Sequence, residues 1–299
     1  MLTIRSVTQL TGISKQVRAA GRRIGFVPTM GALHPGHISL VRAARAQADI
    51  VIVSIFVNPA QFGPNEDFSR YPRTVEADCE LLAAEQVDYV FTPSVDEMYP
   101  QGASTWVDVQ GISDRLDGRS RPGHFRGVST VVSKLFNIAQ PDLAFFGQKD
   151  AAQLAIIRKM VRDLRFDVEI VACPIVREPD GLAMSSRNVY LNPQQRAQAT
   201  VLHRSLLRVL ALTDQGERKA DKLIAAAKKV VAEESSVRLD YFDIVDGDTL
   251  EPLPDTAAGA LAAVAAHVGE TRLIDNIVLA GKSATDPHRD KLVSCHHVT

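Results

Sequence analysis

Two histidines stand in an H-x-G-H pattern, from His34 to His37, and this pattern suits phosphate binding. The apolar run Ile24–Val27 predicts a short buried strand before it, and the apolar spacing of Ile38–Ala48 predicts a helix after it. The histidines therefore lie at a helix N-terminus, where free backbone N–H groups and the positive end of the helix dipole favour anions. Imidazole donors at such a place predict a nucleotide site, with two surface polar side chains in a loop as the plain alternative.

Two further segments carry groups that bind phosphate. The segment Gly147–Asp150 follows an apolar strand and opens a helix, so Lys149 would neutralise phosphate, while Asp150 would reach a magnesium ion or cap the helix. The segment Met184–Asn188 combines two serines with Arg187, whose guanidinium would spread positive charge over phosphate oxygens. Plain helix capping and an ordinary polar loop are the alternatives for these two segments.

Neutral and basic groups elsewhere are weaker candidates. The segment Asn58–Phe62 offers two amides beside an aromatic ring, which suits a polar small molecule but is also a common turn. Gln153 lies one turn after Asp150 and so shares its helix face. The segment Arg121–Gly127 is basic and kinked, which fits either a mobile lid or a linker, and Asp117 before it is a candidate ribose contact.

The composition is typical of a soluble globular protein with one large or two ordinary domains: 299 residues, 45% of them hydrophobic and 23% charged. A formal net charge of −1 disfavours a nucleic-acid-binding module, so no nucleic acid partner is expected. No apolar stretch is long enough to cross a membrane, and residues 1–5 lack the apolar core of a secretory signal. Three widely spaced cysteines favour a reducing compartment, so we expect a cytoplasmic protein with no membrane partner.

Apolar strands alternate with helical patterns over residues 1–177, which is typical of a parallel sheet covered on both faces. The expected fold class is therefore α/β with a doubly wound parallel sheet. Beyond the first strand, the predicted strands are Ile50–Val57, Val87–Phe91, Leu143–Phe146 and Val168–Ala172, and the predicted helices between them are Arg73–Glu85, Val128–Ala139 and Ala151–Leu164. Ligands bind beyond the carboxyl ends of such strands, where the polar segments lie.

The sequence changes character at the turn-rich stretch Arg177–Gly181. Residues 178–281 predict a second, smaller α+β domain, and residues 282–299 predict a polar tail that we expect to be disordered. The predicted elements of this domain are helices Pro193–Leu212 and Lys219–Glu234 and strands Leu239–Val245, Ala262–Val268 and Leu273–Leu279.

The glycine patterns of dinucleotide-binding and P-loop proteins do not occur in the sequence. Taken together and in order, the motifs instead resemble the pantothenate synthetase (pantoate–β-alanine ligase) family of the H-x-G-H nucleotidyltransferase superfamily, over the chain to about Gly281. The motifs that carry the resemblance are PTMG at 28–31, HPGH at 34–37, NPAQF at 58–62, RPGHF at 121–125, FGQKD at 146–150 and DGLAMSSRN at 180–188. The last resembles the superfamily's K-M-S-K-S element without its lysines, so Lys149 and Arg187 would carry the charge.

The resemblance implies a Rossmann-like first domain, a C-terminal lid domain and a cytoplasmic homodimer. It also implies a ligase reaction: ATP and pantoate give pantoyl adenylate and pyrophosphate, and β-alanine then attacks the adenylate to give pantothenate and AMP. Magnesium is the expected cofactor, held mainly by phosphates and water because no carboxylate cage is visible in the sequence. Another H-x-G-H nucleotidyltransferase, acting on a phosphorylated acceptor, is the alternative.

The resemblance also implies roles for individual residues. Catalysis is expected from His34, His37, Lys149 and Arg187, with His37 as a proton donor during adenylation. The residues expected to bind ATP are Met30, Gly31, His34, Gly36, His37, Gly147, Lys149, Asp150, Val176, Met184, Ser185, Ser186 and Arg187. The residues expected to bind pantoate and β-alanine are Asn58, Gln61 and Gln153. No residue is expected to be a dedicated metal ligand.

Overall fold

The computed structural model describes residues 1–64 and 66–281, so the predicted tail at 282–299 lies outside the described residues. The strands are β1 Leu2–Ile4, β2 Ile24–Thr29, β3 Ile50–Ile55, β4 Tyr89–Phe91, β5 Leu143–Gly147, β6 Glu169–Cys173, β7 Val237–Val245, β8 Ala260–Val268 and β9 Thr271–Leu279. The helices are α1 Val7–Ala19, α2 Pro35–Arg45, α3 Val75–Ala84, α4 Val95–Met98, α5 Asp117–Ser120, α6 His124–Ala139, α7 Ala151–Leu164, α8 Pro193–Gln198, α9 Val201–Asp214 and α10 Ala220–Val231.

The first six strands form one parallel sheet in the order β1-β4-β3-β2-β5-β6, which confirms the predicted doubly wound α/β fold. All six side chains of β3 are buried, as expected for a strand covered on both faces. The strand order reverses between β2 and β5, because β3 follows β2 on one side while β5 lies on the other. That reversal makes the carboxyl ends of β2 and β5 the expected ligand site.

Helix α2 begins at Pro35, three residues earlier than predicted. Proline suits the first helical position because its fixed φ is already helical and it has no N–H to leave unpaired. His34 is the N-cap residue, with its ring nitrogen accepting a hydrogen bond from the backbone N–H of Gly36. His37 consequently lies in the first turn of the helix, not in the loop before it.

Strands β7, β8 and β9 form a separate antiparallel sheet in that order, which confirms the second α+β region. The predicted helix Pro193–Leu212 is divided into α8 and α9. The hydroxyl of Thr200, just after α8, donates a hydrogen bond to the carbonyl oxygen of Ala197, which is the kind of local side-chain bond that competes with helix continuation.

The second sheet is covered on both faces. Phe26 and Phe146 of the first sheet share a buried apolar cluster with Tyr241 and Ala263 of the second. The alternate residues of β7 to β9 pack in another cluster with α9 and α10. The boundary that divides the chain into domains at residue 177 stays a prediction. Among residues 1–64 and 66–281, no helix is both long and apolar enough to span a membrane.

Candidate active site

A cavity opens at the carboxyl ends of β2, β3, β5 and β6. Every residue expected to bind ATP, pantoate or β-alanine, except Gly31, contributes to its lining. These lining residues are Met30, His34, Gly36, His37, Asn58, Gln61, Gly147, Lys149, Asp150, Gln153, Val176, Met184, Ser185, Ser186 and Arg187. Segments far apart in the chain therefore converge because the strands that carry them are parallel neighbours.

Gly31 shapes the turn before the cavity and is not part of its wall. Its φ of 81° lies in the left-handed region, and a Cβ there would lie 3.0 Å from an oxygen of Asp78. The buried Asp78 carboxylate accepts hydrogen bonds from the backbone N–H groups of Ala32 and Leu33, at 2.9 and 2.8 Å. Asp78 therefore holds the turn that leads to the histidines, although the sequence pattern gave it no role beyond the predicted helix Arg73–Glu85.

Backbone hydrogen bonds fix which nitrogen of each histidine faces outward. Nδ1 of His34 accepts from the N–H of Gly36 at 3.1 Å, and Nδ1 of His37 accepts from the N–H of His34 at 3.3 Å. A neutral imidazole that accepts through Nδ1 carries its proton on Nε2. Both rings line the cavity, with centroids 4.0 Å apart, so they offer two adjacent N–H donors. Gly36 keeps this space clear, because a Cβ there would lie 2.8 Å from the His34 ring.

Both histidines are neutral at physiological pH. Burial and then the charge of Lys149 lower the pKa of His34 to about 4. Burial, the neighbouring His34 and Lys149 lower the pKa of His37 to about 3. Neutral His37 is therefore a hydrogen-bond donor through Nε2, and its expected role as a proton donor during adenylation stays a prediction.

These low pKa values predict an acid-sensitive fold. The two histidines have a pKa of about 6.5 in the unfolded chain, so below that pH they bind protons there but stay neutral in the folded protein. The free energy of unfolding therefore falls as the pH drops from about 6.5 towards the folded pKa values. For His37 the loss between pH 7 and pH 5 is expected to be about 1–2 kcal/mol. Urea denaturation of wild type and His37→Gln at both pH values measures it. An equal loss of unfolding free energy in wild type and His37→Gln would contradict the low pKa of His37.

Lys149 enters the cavity from a tight turn between β5 and α7. The 3-10 turn Gln148–Asp150 connects the strand to the helix, and the ammonium group of Lys149 lies 3.8 Å from the carboxylate of Asp150. Its charge acts on both histidines, as their lowered pKa values indicate. The cation and the two imidazole donors thus face the same space, as the sequence predicted for a phosphate site.

Arg187 is paired within the protein, which the sequence pattern did not indicate. Its guanidinium donates two hydrogen bonds of 2.9 Å to the carboxylate of Asp67, and it lies over the ring of Tyr71. Burial alone would raise the pKa of Asp67, but the hydrogen bonds and charge of Arg187 outweigh it and hold that pKa below its usual value. The hydroxyl of Tyr71 is 3.1 Å from that of Ser186, which ties the same two segments together.

A second arginine in the wall also has its own carboxylate. Arg121 donates two hydrogen bonds of 2.6 Å to Glu66, and Nδ1 of His124 is 2.8 Å from the carbonyl oxygen of Gln61. Helix α6 already begins at His124, so the stretch predicted as a mobile lid or linker forms a bonded wall of the cavity. Asp117 pairs with Arg272 at 2.7 Å and lines a smaller cavity together with Lys149 and Arg187, and its role as a ribose contact stays a prediction.

A chain of hydrogen bonds orients the amide of Gln61. The hydroxyl of Tyr99 donates to Oδ1 of Asn58 at 2.8 Å, and Nδ2 of Asn58 donates to Oε1 of Gln61 at 3.0 Å. Asn58 is 1% exposed and both its polar atoms bond protein groups, so it acts as a support for Gln61. Among the described residues, no group of three or more His, Cys, Asp or Glu side chains is arranged to hold a metal ion.

Comparison with known proteins identifies the family to which this chain is related. A family model described as pantoate-beta-alanine ligase matches residues 2–278. Pantothenate synthetase from Koribacter versatilis is 61% identical over 279 residues, which cover 93% of this chain and 96% of the relative.

Two solved structures are also similar. The crystal structure of pantothenate synthetase from Thermus thermophilus is 48% identical, with a TM-score of 0.87, and the match covers 93% of this chain and 99% of that one. The crystal structure of pantoate-beta-alanine ligase from Francisella tularensis, complexed with beta-gamma ATP and beta-alanine, is 35% identical, with a TM-score of 0.77 and coverage of 93% and 97%. The chain therefore belongs to the pantoate-beta-alanine ligase family.

Proposed function

We propose that this protein condenses pantoate with β-alanine in an ATP-dependent reaction that releases AMP and pyrophosphate. The observation that carries the proposal is the convergence of Lys149, Arg187 and two imidazole N–H donors on one cavity of a chain that belongs to this ligase family. A nucleotidyltransferase acting on a phosphorylated acceptor is not favoured, because the family match covers residues 2–278 and the candidate acceptor groups Gln61 and Gln153 are uncharged.

The chemistry requires that a poor electrophile, a carboxylate, be activated. A pantoate carboxylate oxygen attacks the α-phosphorus of ATP, the bond to the β-phosphate oxygen breaks, and pyrophosphate leaves. The amine of β-alanine then attacks the acyl carbon, loses a proton and displaces AMP. Neither step needs a protein nucleophile, so the protein must align the reactants and stabilise charge that grows on the phosphates.

Each group in the cavity has a role in this scheme. The Nε2–H groups of His34 and His37 would donate to phosphate oxygens at the positive end of α2. Lys149 and Arg187 would stabilise the five-coordinate α-phosphorus, and the hydroxyls of Ser185 and Ser186 would support the phosphates. Arg187 would then be shared between phosphate and Asp67, because that carboxylate accepts hydrogen bonds from Nε and Nη2 and leaves the remaining N–H donors of the guanidinium to phosphate.

Magnesium would accompany ATP in this proposal. Phosphate oxygens and water would supply most of its ligands, and the carboxylate of Asp150 lines the same cavity. We also infer a cytoplasmic homodimer from the family, and light scattering after size-exclusion chromatography would measure the assembly.

One assay tests the proposed function directly. The protein is mixed with ATP, magnesium, pantoate and β-alanine, and the products expected are pantothenate and AMP in equal amounts. Without β-alanine, exchange of labelled pyrophosphate into ATP should depend on pantoate. Exchange that needs a phosphorylated acceptor instead would reject the proposal.

Gln153 is expected to contribute mainly to binding pantoate. Replacement by leucine keeps the size of the side chain but removes its hydrogen bonds, so the KM for pantoate should rise about 10- to 100-fold while the KM for ATP changes by less than about threefold. Steady-state kinetics with each substrate varied in turn would measure both. Gln194→Leu, at an exposed position of α8, is the matched control and should behave as wild type.

A further inference from the structure

Strand β9 carries two adjacent buried polar side chains, Asp275 and Asn276, each 3% exposed. A buried charge or amide is costly unless it is bonded, so their partners matter. Successive residues of a strand point to opposite faces of the sheet. Asp275 therefore lies on the same face as Leu273 and Ile277, and Asn276 lies on the face of Ile274, which packs with the first sheet.

Asn276 reaches the turn that carries Lys149. Its Nδ2 donates hydrogen bonds of 2.9 Å to the carbonyl oxygens of both Gln148 and Lys149, and its Oδ1 accepts from Nε2 of Gln148 at 3.3 Å. Both amide hydrogens are thus used on one short 3-10 turn. The backbone from which the Lys149 side chain extends is fixed by a residue of the second sheet.

Asp275 reaches the segment that leads to the Ser185–Arg187 loop. Its carboxylate accepts two hydrogen bonds from Arg177, at 2.6 and 2.9 Å. Arg177 also donates to the carbonyl oxygen of Gly181 and forms an isolated bridge with Ala183, which directly precedes Met184. The N–H of Met184 then bonds the carbonyl oxygen of Val176 at 3.0 Å, so the start of the loop is tied to the same anchor.

We propose that Asn276 is a positioning residue that holds the Lys149 turn in place relative to the Ser185–Arg187 loop, which the neighbouring Asp275 anchors through Arg177. The proposal rests on the function proposed above, because it assigns Asn276 to the alignment of Lys149, one of the two cations used there. A misplacement of about 1 Å at a reacting group can lower a rate by about 100-fold. Neither Asp275 nor Asn276 is among the residues that line the cavity, so Asn276 acts on the site through the turn to which it is bonded.

The test uses Asn276→Asp, which keeps the shape of the side chain but replaces the two N–H donors by a carboxylate facing two carbonyl oxygens. The expected result is a fall of about 10- to 100-fold in kcat for pantoate-dependent pyrophosphate exchange, with the KM for ATP within about threefold of wild type. Ile277→Val, on the opposite face of β9, is the control for a loosened strand and should keep its kcat. If Asn276→Asp does not fold, Asn276→Ser replaces it under the same criteria.

A second measurement separates this inference from the proposed function. In the ligand-free protein, the rate at which an amine-acylating reagent labels Lys149 should change in the Asn276 variant, while labelling of Lys159 on α7 should not. An unchanged kcat, or unchanged labelling of Lys149, would overturn the positioning role. If wild type shows no pantoate-dependent exchange, the proposed function fails, and the labelling result alone decides whether Asn276 positions the turn.

Discussion

Lys149→Ala is expected to lower the rate of adenylate formation by about 100- to 1,000-fold in a protein that remains folded. The side chain contributes a cation to the cavity and only one ion contact to the described part of the protein, the 3.8 Å approach to Asp150. Loss of one preorganised charge-stabilising group typically has an effect of this size. A single-turnover experiment with excess enzyme, in which pantoyl adenylate is quantified after quenching, measures this step without product release.

Lys159→Ala is the matched control, because Lys159 lies on α7, the helix that follows the Lys149 turn, and pairs with Asp163 away from the cavity. Its rate should equal that of wild type. The Lys149 variant should also show higher pKa values for His34 and His37 by NMR, because the positive charge that helps to lower them is gone. A wild-type adenylation rate in a folded Lys149→Ala protein would remove this residue from the chemistry.

Arg187→Ala is expected to lower both activity and stability. The activity falls because the phosphates lose a cation, and the stability falls because Asp67 loses its ion pair. The rate of adenylation should fall about 100-fold or more, since the planar guanidinium cannot be replaced by a neighbouring group. The free energy of unfolding should fall by about 1–3 kcal/mol, because the half-buried carboxylate of Asp67 then loses its counter-ion. Denaturation and single-turnover assays measure the two effects separately.

The double variant Asp67→Asn with Arg187→Ala sharpens this prediction. Asp67→Asn removes the carboxylate that Arg187→Ala leaves unpaired, so the double variant should regain most of the lost stability and none of the lost activity. Asp67→Asn alone should keep much of the activity, because Arg187 remains available to phosphate. If the double variant regained activity, the contribution of Arg187 would lie in pairing with Asp67 and not in catalysis.

The framework of the site could be predicted from sequence because its signals are local. The apolar run of β3, the proline and glycine that begin α2 and the turn after β5 each determine a strand end or helix start within a few residues. Parallel strand order then brings those ends to one rim. Three functional segments could therefore be assigned to a common cavity without any knowledge of their contacts.

The pairs that tune the site could not be predicted in this way. Asp67 and Arg187 are 120 residues apart, and Asn276 is 127 residues from Lys149. The local sequence around a charged or amide side chain in a loop or strand is the same whether that side chain faces water or bonds a residue far away in the chain. Asp78 illustrates the point, because it occupies an ordinary helical position yet is buried under the histidine turn.

The ion pairs of Arg121 and Arg187 affect which anions the cavity binds. Lys149, Arg121 and Arg187 bring three fixed positive charges, and Asp150, Glu66 and Asp67 bring three negative charges close beside them, while the histidines are neutral. The formal charges of these six residues therefore balance, although the positive charge of Lys149 still acts on both histidines. A small singly charged anion must compete with Glu66 at Arg121 and with Asp67 at Arg187, so it gains little at these two sites. A triphosphate carries several negative charges along its length, so it can compete with the carboxylates for more than one of these three cations at once.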